Sequence, residues 1–180
     1  MQETRERLDL GVVLERRDVE NPWIDHSWHP VGVIPGAAPL DPSGPWMLLK
    51  EGPGWARFHA GTLPLELYRR ETEGYKVNLA QQPPRIFVVL RDDGDPDSEH
   101  ELLPFLVTVC PYEAQDYLDS GEEQVEAVSM PEAVAAFVQD YCGQHHVEET
   151  FTKRKRKRHF EGAERGPGLR SSNGRGPADG

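Results

Sequence analysis

The run Ile86-Phe-Val-Val-Leu90 is the most hydrophobic stretch of this chain of 180 residues, and its length and composition predict a central β-strand. Residues 91–100 (RDDGDPDSEH) follow it and are acidic and rich in turn-forming residues. Residues 105–110 (FLVTVC) form the next apolar run. Two such runs on either side of a turn segment predict an antiparallel hairpin.

The chain before this hairpin consists of short apolar or alternating runs separated by proline and glycine. Residues 35–45 contain four prolines and two glycines, which predicts a loop, and Gly52-Pro53-Gly54 predicts a tight turn. After this turn, apolar residues recur with the period of two that is typical of a half-buried strand. The six strands expected in this part cover residues 10–14, 28–34, 46–50, 55–60, 63–68 and 75–79.

The pattern changes to helical spacing after the last of the strands. A proline at the start and a glycine after the end predict a short helix over residues 111–120. Apolar residues at helical spacing predict a second helix over about residues 130–142, with Gly143 as its stop. Ser129 and Glu132 predict a capping box at its start.

These elements predict an α+β fold, with a mainly antiparallel sheet or partly closed barrel of about seven strands and two C-terminal helices. Composition divides the chain into a polar leader (residues 1–8), a single strand-rich domain (9–146) and a basic tail (147–180). The tail shows no hydrophobic periodicity. We expect it to be disordered, because it cannot bury enough apolar surface to offset its ordering entropy.

The formal net charge of −11 is unevenly distributed along the chain. Residues 151–180 contain nine basic and three acidic residues, a net charge of +6, so that residues 1–150 carry −17. The acidic body is expected to repel nucleic acid and anionic membranes, whereas the tail is expected to attract both. The tail is also expected to attract acidic protein surface, including that of the body.

Cysteine content and hydropathy indicate a cytoplasmic protein. Cys110 and Cys142 are the two cysteines, too few for a disulfide framework and consistent with a reducing compartment, although a single bridge between them is left open. The charged N-terminus is not followed by the apolar segment of a secretory signal. No apolar run approaches the roughly 18 residues of a membrane helix, so we expect no membrane-spanning segment and no membrane as a partner of the body.

Two groups of histidine and cysteine suggest metal ligands by their spacing. His26 and His29 form a His-x-x-His pair, and Cys142, His145 and His146 cluster at the end of the second helix. A zinc site needs three or four ligands, usually with two fixed pairs, and neither group alone supplies them. The simpler interpretation is surface histidines and one buried thiol, so no metal is predicted.

The motifs of the common enzyme classes are absent from the sequence. It has no Gly-x-Ser-x-Gly elbow and no glycine-rich phosphate loop between a strand and a helix. Cys110 precedes a predicted helix N-terminus, where the helix dipole lowers a thiol pKa. The alternative is that it is a small core residue at the end of an apolar strand. We therefore predict a protein without catalytic residues and without a cofactor.

Two features suggest binding surfaces. Tryptophan is enriched at the energetic centres of protein interfaces, and all four tryptophans fall within a short Pro/Gly-rich part of the chain: Trp23, Trp28, Trp46 and Trp55. A core role for these rings is the alternative. The second feature is an unbroken basic run in the tail, made of Lys153, Arg154, Lys155, Arg156, Lys157 and Arg158. This run lacks the interleaved aromatic residues that stack on bases.

Four segments together resemble a known family: residues 28–36 (WHPVGVIPG), 54–79 (GWARFHAGTLPLELYRRETEGYKVNL), 84–91 (PRIFVVLR) and 109–117 (VCPYEAQDY). They are similar to a bacterial family of unknown function often encoded beside molybdenum-dependent formate dehydrogenases. Its members are often labelled molybdopterin-guanine dinucleotide biosynthesis proteins. The resemblance covers roughly residues 10–145, leaves out the tail and implies no catalytic residues.

The resemblance and the missing motifs together favour a non-catalytic accessory protein. It would assist the assembly or function of a molybdenum-dependent formate dehydrogenase by binding a protein partner, such as a subunit of that enzyme. One alternative is an enzyme of molybdopterin-guanine dinucleotide biosynthesis, which predicts binding of GTP or molybdopterin. Another is a nucleic-acid-associated protein acting through its tail, which predicts affinity that falls steeply with salt. The sequence does not indicate the oligomeric state.

Overall fold

The computed structural model describes residues 5–146 of the chain. The strands are β1 (Arg5–Asn21), β2 (Ile24–Pro35), β3 (Met47–Gly52), β4 (Trp55–Tyr68), β5 (Arg85–Asp92), β6 (Leu102–Thr108) and β7 (Gln124–Ser129). A 3-10 turn (Arg69–Glu71) leads into α1 (Thr72–Leu79), and the other helices are α2 (Pro111–Ser120) and α3 (Glu132–His145). The predicted α+β fold with about seven antiparallel strands is confirmed. The predicted disordered tail lies outside the described residues.

Four strands form the first sheet, in the order β2-β1-β4-β3, and all its pairs are antiparallel. β1 is the longest strand and pairs on both sides. Its alternate residues Leu10, Val12 and Leu14 are fully buried, as a period of two requires for a strand with one face on the core. β1 begins at Arg5, so the second half of the expected polar leader is part of this strand.

The two strands expected over residues 55–60 and 63–68 are one continuous strand, β4. Gly61 lies at the point where they were separated, with φ of 146°. A Cβ atom at this position would lie 2.5 Å from Cγ of Pro42 in the preceding loop. Glycine therefore serves here to let the loop approach the strand closely, and it does not end the strand.

The second sheet has the order β6-β5-β7. β5 is its central strand, and Ile86, Val88, Val89 and Leu90 are all fully buried, which confirms the prediction for this run and shows that both of its faces are covered. β6 pairs with β5 across the acidic turn segment, as expected. β7 (QVEAVS) was not predicted, because Gln, Glu and Ala have little tendency to form strands and only packing against β5 selects this conformation.

The prediction of a strand over residues 75–79 is wrong, because these residues belong to the helix α1. The alternation of Tyr75, Val77 and Leu79 suggested a strand, yet Tyr75 and Leu79 are also four residues apart and share one face of a helix. Tyr75 is buried, whereas the Val77 side chain is 43% exposed. Five residues are too few to distinguish the two periods.

The last helix is longer than expected and begins differently. α3 continues through Gly143 to His145, so this glycine is not its stop. The N-cap residue is Pro131, and no side chain caps the helix, so the capping box of Ser129 and Glu132 does not form. Proline leaves no N–H to be capped at its own position. The expected bounds of α2 are confirmed, with Gly121 in the left-handed conformation after its end.

The core lies between the two sheets and α3, and the sheets do not close into a barrel. Its buried side chains come from β1, β4 and β5 and from the inner face of α3, including Val134, Val138 and Tyr141. α1 packs against both α2 and α3. Fully buried Asn78 of α1 fixes this helix: its side-chain amide donates to the carbonyls of Arg85 and Val109, at 2.7 and 2.8 Å.

Candidate functional site

Two of the four tryptophans belong to an aromatic cluster that packs against the core. The rings of Trp28 and Trp46 meet edge to face with centroids 5.4 Å apart, and Phe58 lies within 6.3 Å of both. His100 stacks in parallel on Trp46 at 3.7 Å. The Trp46 indole N–H donates to the carbonyl of Pro42 at 2.8 Å. These contacts give both tryptophans ring partners within the fold, and they anchor the loop before β3 and the loop between β5 and β6.

Trp55 is also occupied by contacts within the domain. It is half-buried at the start of β4, where the guanidinium group of Arg57 lies 5.3 Å from its ring centroid. A Cβ atom at Gly52 would lie 2.6 Å from Nε1 of Trp55, so the ring covers the backbone of the β3–β4 turn. Its role is therefore to close this hairpin.

Trp23 differs from the other three because its side chain is 90% exposed. It lies at the turn between β1 and β2, where its backbone N–H donates to the side-chain oxygen of Asn21 at 2.9 Å. Two neighbouring apolar side chains are exposed as well, Ile24 at 51% and Val19 at 36%. We call Val19, Trp23 and Ile24 the Trp23 tip. Exposed apolar residues concentrated at one point are typical of a protein-binding surface.

Glu15 of β1 is the centre of an ion cluster on the first sheet. Its carboxylate accepts hydrogen bonds from Nε of Arg57, at 2.6 Å, and from Nε of Arg17. These two guanidinium groups, Arg57 before Arg17, hold the pKa of Glu15 below its usual value. Glu15 is only 3% exposed, so its carboxylate is buried and shared between two cations.

A row of polar side chains crosses five strands through this cluster. On β7, Glu126 lies 2.8 Å from Nδ1 of His29, on β2. His29 is directly opposite Glu15, and Glu15 is opposite Arg57 of β4. Arg57 is in turn opposite Lys50 of β3. Acidic and basic groups thus alternate until the edge of the sheet, where two cations are adjacent.

A second candidate site is a cleft of about 350 Å³ between α1 and α2. We call it the α1–α2 cleft, and its lining includes four carboxylates: Glu71, Glu73, Glu113 and Asp116. Arg70, Gly74, Cys110 and Tyr112 complete the lining. The excess of acidic groups disfavours anionic ligands such as phosphates in this cleft.

Two titratable groups that line the cleft, Glu113 and Cys110, have raised pKa values. The Thr108 hydroxyl donates to Glu113 at 2.7 Å, and burial raises the pKa of Glu113. Burial also raises the pKa of the Cys110 thiol, which the nearby carboxylates of Glu71 and Glu113 raise further. A nucleophilic cysteine needs a lowered pKa, so the structure favours the core interpretation of Cys110.

The deepest hydroxyl beside the cleft belongs to Tyr75. It donates to the carboxylate of Glu71 at 2.8 Å and accepts the backbone N–H of Tyr68 at 3.0 Å. Burial is the main reason that the pKa of Tyr75 lies far above its usual value. Both hydrogen bonds of this protonated phenol are made within the fold, and together they hold α1 against the end of β4.

The histidines and cysteines considered as metal ligands lie in separate places. Nδ1 of His26 is 3.1 Å from Asp18, and the partner of His29 is Glu126. Both cysteines are buried and free, so no bridge joins Cys110 and Cys142. Over residues 5–146, no group of three or more His, Cys, Asp or Glu side chains is placed to hold a metal ion.

Cys142, His145 and His146, at the end of α3, are held by hydrogen bonds and by ring packing. The Cys142 thiol points at the carbonyl of Thr72 at 3.9 Å, and burial raises its pKa. Nδ1 of His146 lies 3.0 Å from the Thr72 hydroxyl. His145 packs on the ring of Tyr141 with centroids 4.5 Å apart. These contacts fasten the end of α3 to the start of α1.

Two further predictions concern membranes and the tail. Among the described helices, none has both the length and the apolar character needed to cross a bilayer. The basic run of residues 153–158 lies outside the described residues, so its contacts stay a prediction.

The fold and its surfaces define an α+β domain with two antiparallel sheets, an exposed tryptophan tip and an acidic cleft. Residues 9–157 match the family model described as a protein of unknown function (DUF3305), and the chain belongs to this family. No curated protein and no solved structure matches the chain.

Proposed function

We propose that this chain is a non-catalytic accessory protein that binds a protein partner through the Trp23 tip. The observation that carries the proposal is the 90% exposure of Trp23, flanked by exposed Ile24 and Val19. Burying a whole tryptophan side chain of about 200 Å² stabilises a complex by about 5 kcal/mol, before the costs of association. Tryptophan is enriched among the few residues that carry most of the binding energy of an interface.

The geometry of the Trp23 tip supports binding by a largely preformed surface. The tip is fixed by antiparallel pairing along β1 and β2 and by the Asn21 side chain, which accepts the Trp23 backbone N–H. The Asp18 N–H donates to the Gly54 carbonyl at 2.9 Å, which ties the tip to the β3–β4 turn. A hairpin whose backbone is already paired loses less entropy on binding than an unpaired loop does.

The partner we propose is a subunit of a molybdenum-dependent formate dehydrogenase, whose assembly or function the chain would assist. This part of the proposal is supported by the resemblance of residues 28–36, 54–79, 84–91 and 109–117 to the family often encoded beside such enzymes. The alternative is an enzyme of molybdopterin-guanine dinucleotide biosynthesis. This alternative requires binding of GTP or molybdopterin, which are both anionic. The acidic lining of the α1–α2 cleft does not favour such ligands.

Co-purification tests the proposal directly. Tagged full-length chain is expected to capture the catalytic subunit of formate dehydrogenase, and Trp23→Ala is expected to weaken capture about tenfold or more. Leu118→Ala is the matched control, because Leu118 is an exposed apolar residue on α2 that lines neither candidate site. If the chain captures no redox subunit, and its deletion leaves formate oxidation unchanged, the proposal is wrong. Heat released on titration with GTP or molybdopterin would favour the alternative.

A further inference from the structure

The β3 strand is an open edge of the first sheet. It is the last strand in the order β2-β1-β4-β3, and among the described residues no strand pairs with its outer side. Three consecutive apolar side chains are exposed here: Met47 at 57%, Leu48 at 48% and Leu49 at 45%. An open edge presents unpaired N–H and C=O groups, which accept an added strand.

The charge on this edge indicates what an added strand would carry. Lys50 lies opposite Arg57, a like charge, which destabilises a cross-strand pair. Arg57 already donates to Glu15, and Lys50 forms no ion pair within the described part of the chain. The alternating row that runs from Glu126 to Arg57 therefore ends on an uncompensated cation. A carboxylate on the outer side of Lys50 would continue the alternation.

We propose that the β3 edge binds an extended segment of a partner protein by strand addition. The segment carries a carboxylate opposite Lys50 and apolar residues on its other face, beside Leu48. Backbone hydrogen bonds supply affinity in this mode of recognition, and alternate side chains supply specificity. The inference rests on the proposed function, in that it assumes a protein partner, and it adds the chemistry of the segment that is recognised.

A second copy of β3 does not meet this requirement. Opposite residues in an antiparallel pair point to the same face of a sheet. The only carboxylate of β3 is Glu51, the neighbour of Lys50, and these two residues pair with neighbouring positions of β4 that point to opposite faces. Symmetric pairing of two β3 strands therefore does not place Glu51 against Lys50, which favours a segment of a different protein as the occupant.

A labelled heptapeptide, Val-Thr-Val-Glu-Val-Thr-Val, is the probe for this site, with a matched peptide that carries Lys at its centre. Fluorescence anisotropy with the full-length chain is expected to show about fivefold tighter binding of the Glu peptide, the difference between an opposite-charge and a like-charge pair. Lys50→Glu is expected to reverse the preference. This reversed preference also shows that the variant is folded, because an unfolded β3 edge would not gain binding to the Lys peptide.

Equal affinity for the two peptides, or a preference that Lys50→Glu leaves unchanged, would overturn the inference. So would sedimentation velocity showing a dimer that dissociates on Lys50→Glu while neither peptide binds. Trp23→Ala is expected to leave the peptide preference intact. A failed co-purification with formate dehydrogenase combined with a clear peptide preference would reject the proposed partner and keep the β3 edge as a binding site.

Discussion

The side-chain amide of Asn78 donates to the carbonyl of Val109 at 2.8 Å, linking residues 31 positions apart in the sequence. The same amide group donates to the Arg85 carbonyl, and its oxygen accepts the Arg85 N–H at 2.9 Å. One fully buried side chain thus joins α1 to the start of β5 and to the segment after β6.

Replacing Asn78 by Ala is expected to lower the free energy of unfolding by about 3 kcal/mol, because several buried backbone groups lose their hydrogen-bond partner. Urea unfolding followed by circular dichroism measures the change. Gln81→Ala is the matched control, since this amide is exposed just after the same helix, and we expect it to stay within about 0.5 kcal/mol of the wild type. Similar values for the two variants would contradict the role given to Asn78.

Glu15 gives the stability of the domain a defined pH dependence. Because Arg57 and Arg17 hold its pKa below the usual value in the folded state, Glu15 stabilises the fold above the pKa of an unfolded glutamate, about 4.3. This contribution is lost as the pH falls from there through the lower pKa of the folded state. Glu15→Gln is therefore expected to destabilise the domain by about 1 kcal/mol at pH 7 and by much less in acid.

Unfolding curves of the wild type and Glu15→Gln at pH 7 and pH 3 measure this difference. Exposed Glu20, which has no ion pair within residues 5–146, supplies the control Glu20→Gln, for which we expect little change at either pH. A destabilisation by Glu15→Gln that is the same at both pH values would show that lost packing, and not the charge, is responsible.

Gly74 and Cys110 are expected to be energetically coupled across the α1–α2 cleft. A Cβ atom on Gly74 would lie 2.8 Å from the Cys110 sulfur, so Gly74→Ala is expected to destabilise the domain by about 1 to 2 kcal/mol despite its higher helix propensity. In a Cys110→Ala background the sulfur is gone, and the cost is expected to fall by at least half. A double-mutant cycle by urea unfolding measures this coupling, and simple additivity would contradict the contact.

Local patterns predicted those parts of the fold whose neighbours lie close in the sequence. The hairpin of β5 and β6, the turn at residues 52–54 and the bounds of α2 follow from runs of apolar residues and from the backbone preferences of glycine and proline. α1 did not follow, because a run of five residues satisfies strand and helix spacing equally. β7 did not follow either, since its conformation depends on pairing with β5.

For the candidate site as well, the sequence predicted the residue type and only packing decided which residue is exposed. Tryptophan content directed attention to Trp23, Trp28, Trp46 and Trp55, but composition does not reveal which rings find partners inside the fold. His100 approaches Trp46 from a loop more than fifty residues away in the sequence, and no comparable partner reaches Trp23 within the described residues. Exposure, which makes Trp23 the binding candidate, is therefore decided by packing.

The sequence by itself determined an acidic α+β domain rich in antiparallel strands, because hydrophobic period, turn residues and charge are local properties of the chain. Only the tertiary structure decided that the Cys110 thiol is buried beside carboxylates, that Trp23 is left exposed and that Lys50 ends a row of alternating charge. Each of these depends on strand register and on contacts between residues far apart in the sequence, and long-range contacts are fixed only when the whole core packs.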